Sequence, residues 1–169
     1  MAICEGLVKE IDQEAATTKR VLERVPSDRL AWKPHPKSMS LGELALHVAA
    51  APSVISGWCC EDETKFTGEK TPMPSSTAEI LAAHDAGVHT VKVRLTKIGD
   101  EGMKQMWKGT AGGATLMTMP KGVLTRALVM NHWIHHRGQL SVYLRLLDVP
   151  VPSIYGPSAD ENPFAARTA

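Results

Sequence analysis

No stretch of about 18 consecutive apolar residues occurs anywhere in the chain, which excludes a membrane-spanning helix on sequence grounds. The N-terminus has no charged segment followed by an apolar one, so no secretory signal is expected and the expected location is the cytoplasm. Charge of one sign is also missing. Nineteen Lys and Arg stand against 18 Asp and Glu, a net of +1, leaving no electrostatic case for nucleic acid or an anionic membrane as partner. Cysteine is scarce: Cys4, Cys59 and Cys60 are odd in number and include an adjacent pair, which suits neither a disulfide framework nor a CxxC metal knuckle. They read as reduced, partly buried thiols. There is no internal repeat and no low-complexity run. Gly112-Gly113 follows no buried strand and precedes no Gly-Lys-Ser/Thr, so it reads as a turn rather than a phosphate loop.

What is present is a chain of 169 residues, 43% hydrophobic, enough for one ordinary domain with a substantial core spanning residues 1–169. In residues 3–25, Ile3, Leu7, Ile11, Ala15, Thr18, Leu22 and Val25 recur at spacings of three and four, the pattern of an amphipathic helix. Pro26-Ser27-Asp28 ends it, and the proline-rich stretch after Leu30 reads as an extended connector with Trp32 against the core and His35 in an exposed loop. Ser40-Leu41-Gly42-Glu43 is a capping box that opens a second helix, within which Pro52 should introduce a kink. Residues 61–75 are polar and proline-containing and read as a long structureless connection, long enough to let the second and third helices run parallel. A third helix starts at Ser76-Thr77-Ala78-Glu79 and carries Leu81, His84, Val88, Val91, Leu95 and Ile98 on one side. Residues 99–121 are broken by glycines, and residues 104–107 and 115–119 suggest at most a short irregular hairpin. The methionines of this region read as flexible packing residues. The last helix starts around Pro120 and runs to about Leu147, followed by a proline-rich tail laid across the helices.

The chemistry concentrates in Asn131-His132-Trp133-Ile134-His135-His136-Arg137-Gly138-Gln139-Leu140. Leu124, Leu128, His132, His136, Leu140 and Leu144 form one row at spacing four, so two imidazoles occupy core positions about one turn apart. A buried imidazole needs partners for its ring nitrogens, and a cation supplies one. His135, three residues after His132, is within the same reach. On the second helix His47 shares the core side with Leu44, Ala51 and Trp58. Alone it reads as a satisfied core histidine; beside a His-x3-His pair it reads as a further ligand. His84 is a weaker candidate, better read as a core position at the helix end, and His89 falls off the row. Gly138 suggests close approach of another helix beside the histidines.

These residues carry a resemblance. Leu-Gly-Glu-Leu-Ala-Leu-His in the second helix, His132-x3-His136-Arg-Gly-Gln-Leu in the last, and Val-Pro-x-x-Tyr-Gly-Pro-Ser near the C-terminus resemble the DinB/YfiT-like family of candidate metalloenzymes, over nearly the whole chain. The resemblance implies an all-α fold, a four-helix bundle with a long crossover connection, often paired as a homodimer. It implies metal ligands at His47, His132 and His136, the last selected over His135 because it immediately precedes Arg-Gly-Gln. It further implies a divalent cofactor, zinc or nickel first and manganese or iron as alternatives, with a low-molecular-weight thiol as possible co-substrate.

Three imidazoles leave open positions on a divalent ion, as in a catalytic site. Such a site points to a metal-dependent enzyme acting on a small-molecule substrate, a thiol transferase or a hydrolase. Trp133 stands where the HExxH protease motif needs its glutamate, which excludes that mechanism. Asn131, Gln139 and Tyr143 are polar groups near enough in sequence to support ligands or contact substrate. The other function class consistent with the same residues is a stress-associated metal-binding protein without catalysis, in which a fourth protein ligand closes the ion.

Overall fold

The apolar periodicities become four long helical segments in the computed structural model, which describes residues 3–68 and 72–165. Helix α1 spans Ile3–Leu22 and buries Leu7, Ile11, Ala15, Thr18 and Leu22, the expected stripe. Its first amides are capped from a distance: the Asp100 carboxylate accepts from the Ile3 and Cys4 N–H groups at 3.0 and 2.9 Å, which suits the positive end of a helix dipole. Helix α2 spans Leu41–Trp58 and runs unbroken through Pro52. The capping box is formed, with the Ser40 hydroxyl accepting from Glu43 N–H at 3.2 Å and Glu43 accepting from Ser40 N–H at 2.6 Å. Helix α3 spans Thr77–Lys104. Ser76 caps it, but the Glu79 carboxylate reaches back to Ser75 rather than to the cap residue.

The fourth segment is a rod of three pieces: α4, Lys121–Leu124; a π-helical stretch, Thr125–Asn131; and α5, His132–Leu146. Within the rod His132 N–H donates to the Ala127 carbonyl five residues back. A π turn changes the phase between the residues before and after it, and such turns occur disproportionately at functional sites.

Pairings between segments fix their directions. A β-carbon added at Gly87 would lie 3.2 Å from Ala49 O, and the Gly57 position faces Arg94, so α2 and α3 advance together and pack closely. They are parallel, as the long connection permits. Lys19 meets Asp85 and Lys92 meets Asp12, which makes α1 antiparallel to α3. Cys59 meets Thr125 and Tyr143 reaches Met39 O, which makes the rod antiparallel to α2.

The all-α expectation is corrected by a three-stranded mixed sheet in the order β1-β2-β3. Strand β1, Glu63–Lys65, lies in the stretch read as a structureless crossover and pairs parallel with β2, Met106–Ala111. Strand β3, Ala114–Pro120, pairs antiparallel with β2. The hairpin is longer than expected, closed by Gly112 and Gly113 at φ 56° and 82°. Positive φ at both central residues is the two-residue turn whose twist suits a hairpin. The α3 span is two helical pieces joined across a kink at Gly99, whose φ of 63° and ψ of 175° are not helical, so its first piece ends where the glycine-broken stretch was expected to begin. Lys121 ties the sheet to the rod: its buried amine bonds Asp62 at 2.8 Å and Gln105 at 3.2 Å. No helix among the described residues is long and apolar enough to cross a membrane.

Several placements follow the sequence, although Cys60, expected to be partly buried, is exposed. Trp32 is half-buried and meets Tyr143 edge-on at 5.7 Å; His35 and His89 are exposed. The tail lies against α1, with Arg20 donating to Ser153 O and Tyr155 OH to Glu14. Gly138 has nothing within 4 Å of the position a β-carbon would take. The close helix approach inferred from it is not there, and it stands as an exposed helical glycine.

Candidate metal centre

His47 on α2 and His132 and His136 on α5 come together, each half-buried, with ligand-capable nitrogens all within 4.8 Å of one another. The Nε2 atoms of His47 and His132 are 3.4 Å apart, and those of His132 and His136 are 3.0 Å apart. Two residues four apart supply one side of the group, and the antiparallel packing of α2 against α5 supplies the other. The rings stand nearly perpendicular to one another, at 84° to 88°, so their nitrogen edges converge rather than stack.

The donor set fits a divalent cation on its own chemistry. Two nitrogens bound at about 2.0–2.1 Å around a tetrahedral ion lie roughly 3.3 Å apart, close to the separations seen here. Burial, together with the neighbouring His136, His47 and His135, lowers the His132 pKa from 6.5 to about 4. Burial also lowers His47 and His136. All three are therefore neutral at pH 7, the state a metal ligand requires. His136 Nδ1 donates to Gln139 Oε1 at 2.7 Å, which leaves the Nε2 lone pair facing the other two rings. His132 Nδ1 is buried without a partner among the described residues, whereas His136 is oriented from behind by its bond to Gln139.

Replacement of Gln139 by Leu is expected to weaken divalent metal affinity by about 10- to 100-fold, the usual cost of losing a partner behind a ligating histidine. Because Gln139 is exposed, the thermal midpoint of the metal-free protein should be unchanged. Competition with a chromogenic chelator reads the first and a melting curve the second. An unchanged affinity would mean that Gln139 does not orient His136.

Acid should act on the same group. The unfolded chain protonates its histidines near pH 6.5, whereas folded His132 resists until about pH 4. Between these values the unfolded state binds more protons, so the stabilising contribution is present above pH 6.5 and is lost as pH falls toward 4. His84 adds in the same direction, since burial lowers its pKa despite the opposing Asp85. Denaturant midpoints of metal-free protein measured from pH 7.5 to 4 are expected to fall across this window, and less steeply in His132→Asn.

The other histidines stand apart. His84 is 2% exposed, with Nδ1 at 3.2 Å from Asp85 Oδ1, and does not belong to the three-histidine group. Its ring lies 6.2 Å from Trp133, which projects from α5 one residue after His132. His135 is exposed, its ring centroid 5.0 Å from that of His136. Neither is positioned as a fourth donor. The following residue, Arg137, has a role the sequence did not reveal. It is 1% exposed, pairs with Glu14 at 2.6 Å, donates to Thr18 at 3.1 Å and lies 5.0 Å from the centre of the Tyr155 ring. It binds α5 to α1 and the tail on the side away from the ligand rings. Of the other polar neighbours, Tyr143 donates to Met39 O at 3.3 Å and Asn131 is exposed.

Helices around a cluster of three neutral imidazoles define a protein with a possible metal site on a helical scaffold. Residues 4–164 match the DinB family, and the chain belongs to that family. It is 28% identical over 162 residues to the uncharacterized protein YrdA of Bacillus subtilis strain 168, covering 93% of this chain and 90% of that protein. Among solved structures, a DinB-like protein from Bacillus cereus ATCC 10987 superposes with a TM-score of 0.71 at 23% identity, over 89% of this chain and 97% of that one. The DinB-like protein YjoA of Bacillus subtilis superposes with a TM-score of 0.65 at 20% identity, over 85% and 92% of the two chains. At these identities the structural likenesses establish the fold.

Proposed function

We propose that the chain is a metal-dependent enzyme in which His47, His132 and His136 hold one divalent cation, zinc or nickel first, and in which a thiol or water is activated for S-transfer or hydrolysis of a small-molecule substrate. The observation that carries this reading is the convergence of three neutral Nε2 atoms at the wall of an open cavity that His47 and His132 both line. A divalent cation held by three neutral ligands, with a position left open, lowers the pKa of a bound water to about 7 and favours a bound thiol as thiolate. The protein's own part is to present three unprotonated nitrogens, to hold the His136 proton on Nδ1 against Gln139, and to keep bulk water away with the apolar surface beside His47. The absence of a fourth protein donor within the group, among the described residues, favours an open site over a closed, purely structural one.

The test is spectroscopic. Protein reconstituted with cobalt(II) should show ligand-field absorption of a low-coordinate ion. Addition of a small thiol should then add a sulfur-to-cobalt charge-transfer band in the near ultraviolet. A cobalt spectrum that no thiol or hydroxide alters between pH 6 and 9 would leave a metal-binding protein without accessible chemistry, the competing class.

A further inference from the structure

The sequence row on α2 that contains His47 is only partly a core row. His47, Ala50, Ala51, Val54 and Trp58 line a cavity of about 640 Å3, at spacings of three and four, so one stripe of α2 forms its floor. The stripe is long: Trp58 is eleven positions after His47, roughly 16 Å along a helix. Leu128 and His132, one turn apart on the rod, face it from one side, and Phe66 and Met117 from the sheet side. The cavity is therefore an elongated trough. Its histidines lie at one end and an aromatic group at the other, where Trp58 meets Phe66 edge-on at 5.1 Å and stacks with Trp107 at 6.2 Å.

This aromatic end is built by the sheet. A β-carbon at Gly109 would lie 2.6 Å from Phe66 Cε2, so the bare glycine in β2 is what lets Phe66 settle over the strand. Trp107 behind it is fully buried and held by a 2.9 Å bond from its indole N–H to Thr64. Val54, on the floor, is 56% exposed. Apart from the two histidines at its end, none of the described lining residues is ionisable, so a carboxylate or phosphate lying along the trough away from them would be desolvated without a partner.

We propose that the trough binds the body of the substrate, and that this body is an uncharged, elongated apolar group, alkyl or aryl, lying along α2 with its reacting end at His47 and His132. The volume falls within the range of pockets that enclose most of a small organic ligand. The assignment of a reacting end rests on the metal reading above; the binding of an apolar body does not, and the two are measured separately.

Binding is read first with N-phenyl-1-naphthylamine, an uncharged fluorophore, on metal-free and metal-loaded full-length protein. A saturable fluorescence rise in both forms is expected. Ala50→Phe, which fills the trough one turn along α2 from His47, should weaken it by about tenfold or more in the metal-free protein, where no ion's coordination is at stake. Competition by uncharged n-alkanethiols from ethanethiol to octanethiol should strengthen by up to about fourfold per methylene, and glutathione, charged and polar, should not compete in the same range. In cobalt-loaded protein the alkanethiols should produce the charge-transfer band with the same chain-length dependence.

A flat chain-length series, effective competition by glutathione, or probe binding indifferent to Ala50→Phe would overturn the proposal. So would absence of probe binding combined with a dimer that Ala50→Phe dissociates, which would assign the trough to a second copy of the chain. Apolar binding with the expected chain-length series in protein that takes up no metal would instead overturn the metal reading and leave the trough standing. If Ala50→Phe fails to fold, Val54→Glu on the solvent-facing part of the floor supplies the same comparison, with loss of chain-length dependence expected.

Discussion

A protein carrying His136→Ala is expected to lose divalent metal at concentrations that saturate the wild type. Removing a group that merely orients a ligand weakens metal binding by about 10- to 100-fold; removing the ligand itself should exceed this. Three contributions vanish together in the variant. His136 Nε2 stands 3.0 Å from His132 Nε2, its ring lies 4.6 Å from that of His47, and it is the ring that Gln139 orients. Two imidazoles on facing helices remain, too few to hold an ion against competing water. Titration with zinc, nickel and cobalt against a chromogenic chelator reads the affinity, and thermal denaturation supplies an independent measure. A ligand that binds only the folded state at 100 times its dissociation constant stabilises by about 2.7 kcal/mol, and this metal-dependent rise in melting temperature should disappear in the variant. His135→Ala, one residue away and exposed, should retain both. Metal binding unaffected by His136→Ala but lost with His135→Ala would reassign the ligand.

The second large effect concerns stability rather than metal. Arg137→Met keeps most of the side-chain length but leaves the Glu14 carboxylate, whose side chain is 12% exposed, without its cation. Breaking a buried pair by removing one partner costs about 3–5 kcal/mol, because an uncompensated charge remains. For a domain of this size that corresponds to a fall in melting temperature of roughly 6–20 °C. Two further contributions go with it, the bond to Thr18 and the cation over the Tyr155 ring. Adding Glu14→Gln to Arg137→Met should recover a substantial part of the loss, since the amide is cheaper to bury than the carboxylate. Tyr155 OH, which donates to Glu14 at 2.8 Å, retains an oxygen to bond. If Arg137→Met melts within about 1 kcal/mol of wild type, the pair is solvated in practice and does not tie α5 to α1.

The Arg-Gly-Gln that follows His136 thus divides into separate physical roles. Arg137 joins helices, Gly138 is an exposed helical residue, and Gln139 orients a ring. The sequence marked Gln139 as a group able to support a ligand, read Gly138 as a close helix approach that is not there, and left Arg137 without a role, because one-dimensional spacing says which side a residue faces and not what it meets there. The histidine cluster was legible for the opposite reason. Two side chains four apart on one helix must share a side, and the third fell on an apolar row of its own helix. The row itself was ambiguous, since Ala51 and Ile55 are buried while Val54 faces solvent over the trough. Periodicity marks an apolar side whether it is covered by protein or left open for a ligand.

The sheet was the part least legible. Strand β1 is three residues long and its partner β2 lies more than 40 residues away, so neither alternation nor a turn signal announces the pairing. The hairpin was legible as a short irregular one over residues 104–107 and 115–119, but its full length was not; Gly112 and Gly113 take the positive φ that its turn requires. The π-helical stretch before His132 is equally silent, because nothing in Thr125 to Asn131 distinguishes it from a regular helix by propensity. These non-local features build the aromatic end of the trough and set the phase of the rod that carries two of the three histidines.

The central claim is that His47, His132 and His136 hold one metal ion. Elemental analysis of untagged wild-type protein, beside His47→Ala and His136→Ala prepared in the same way, tests it most directly. The account predicts near-stoichiometric zinc, nickel or another divalent metal in the wild type and its loss in both variants. Wild-type protein that is metal-free as purified and takes up no added zinc, nickel or manganese would contradict it and leave three packed imidazoles without an ion.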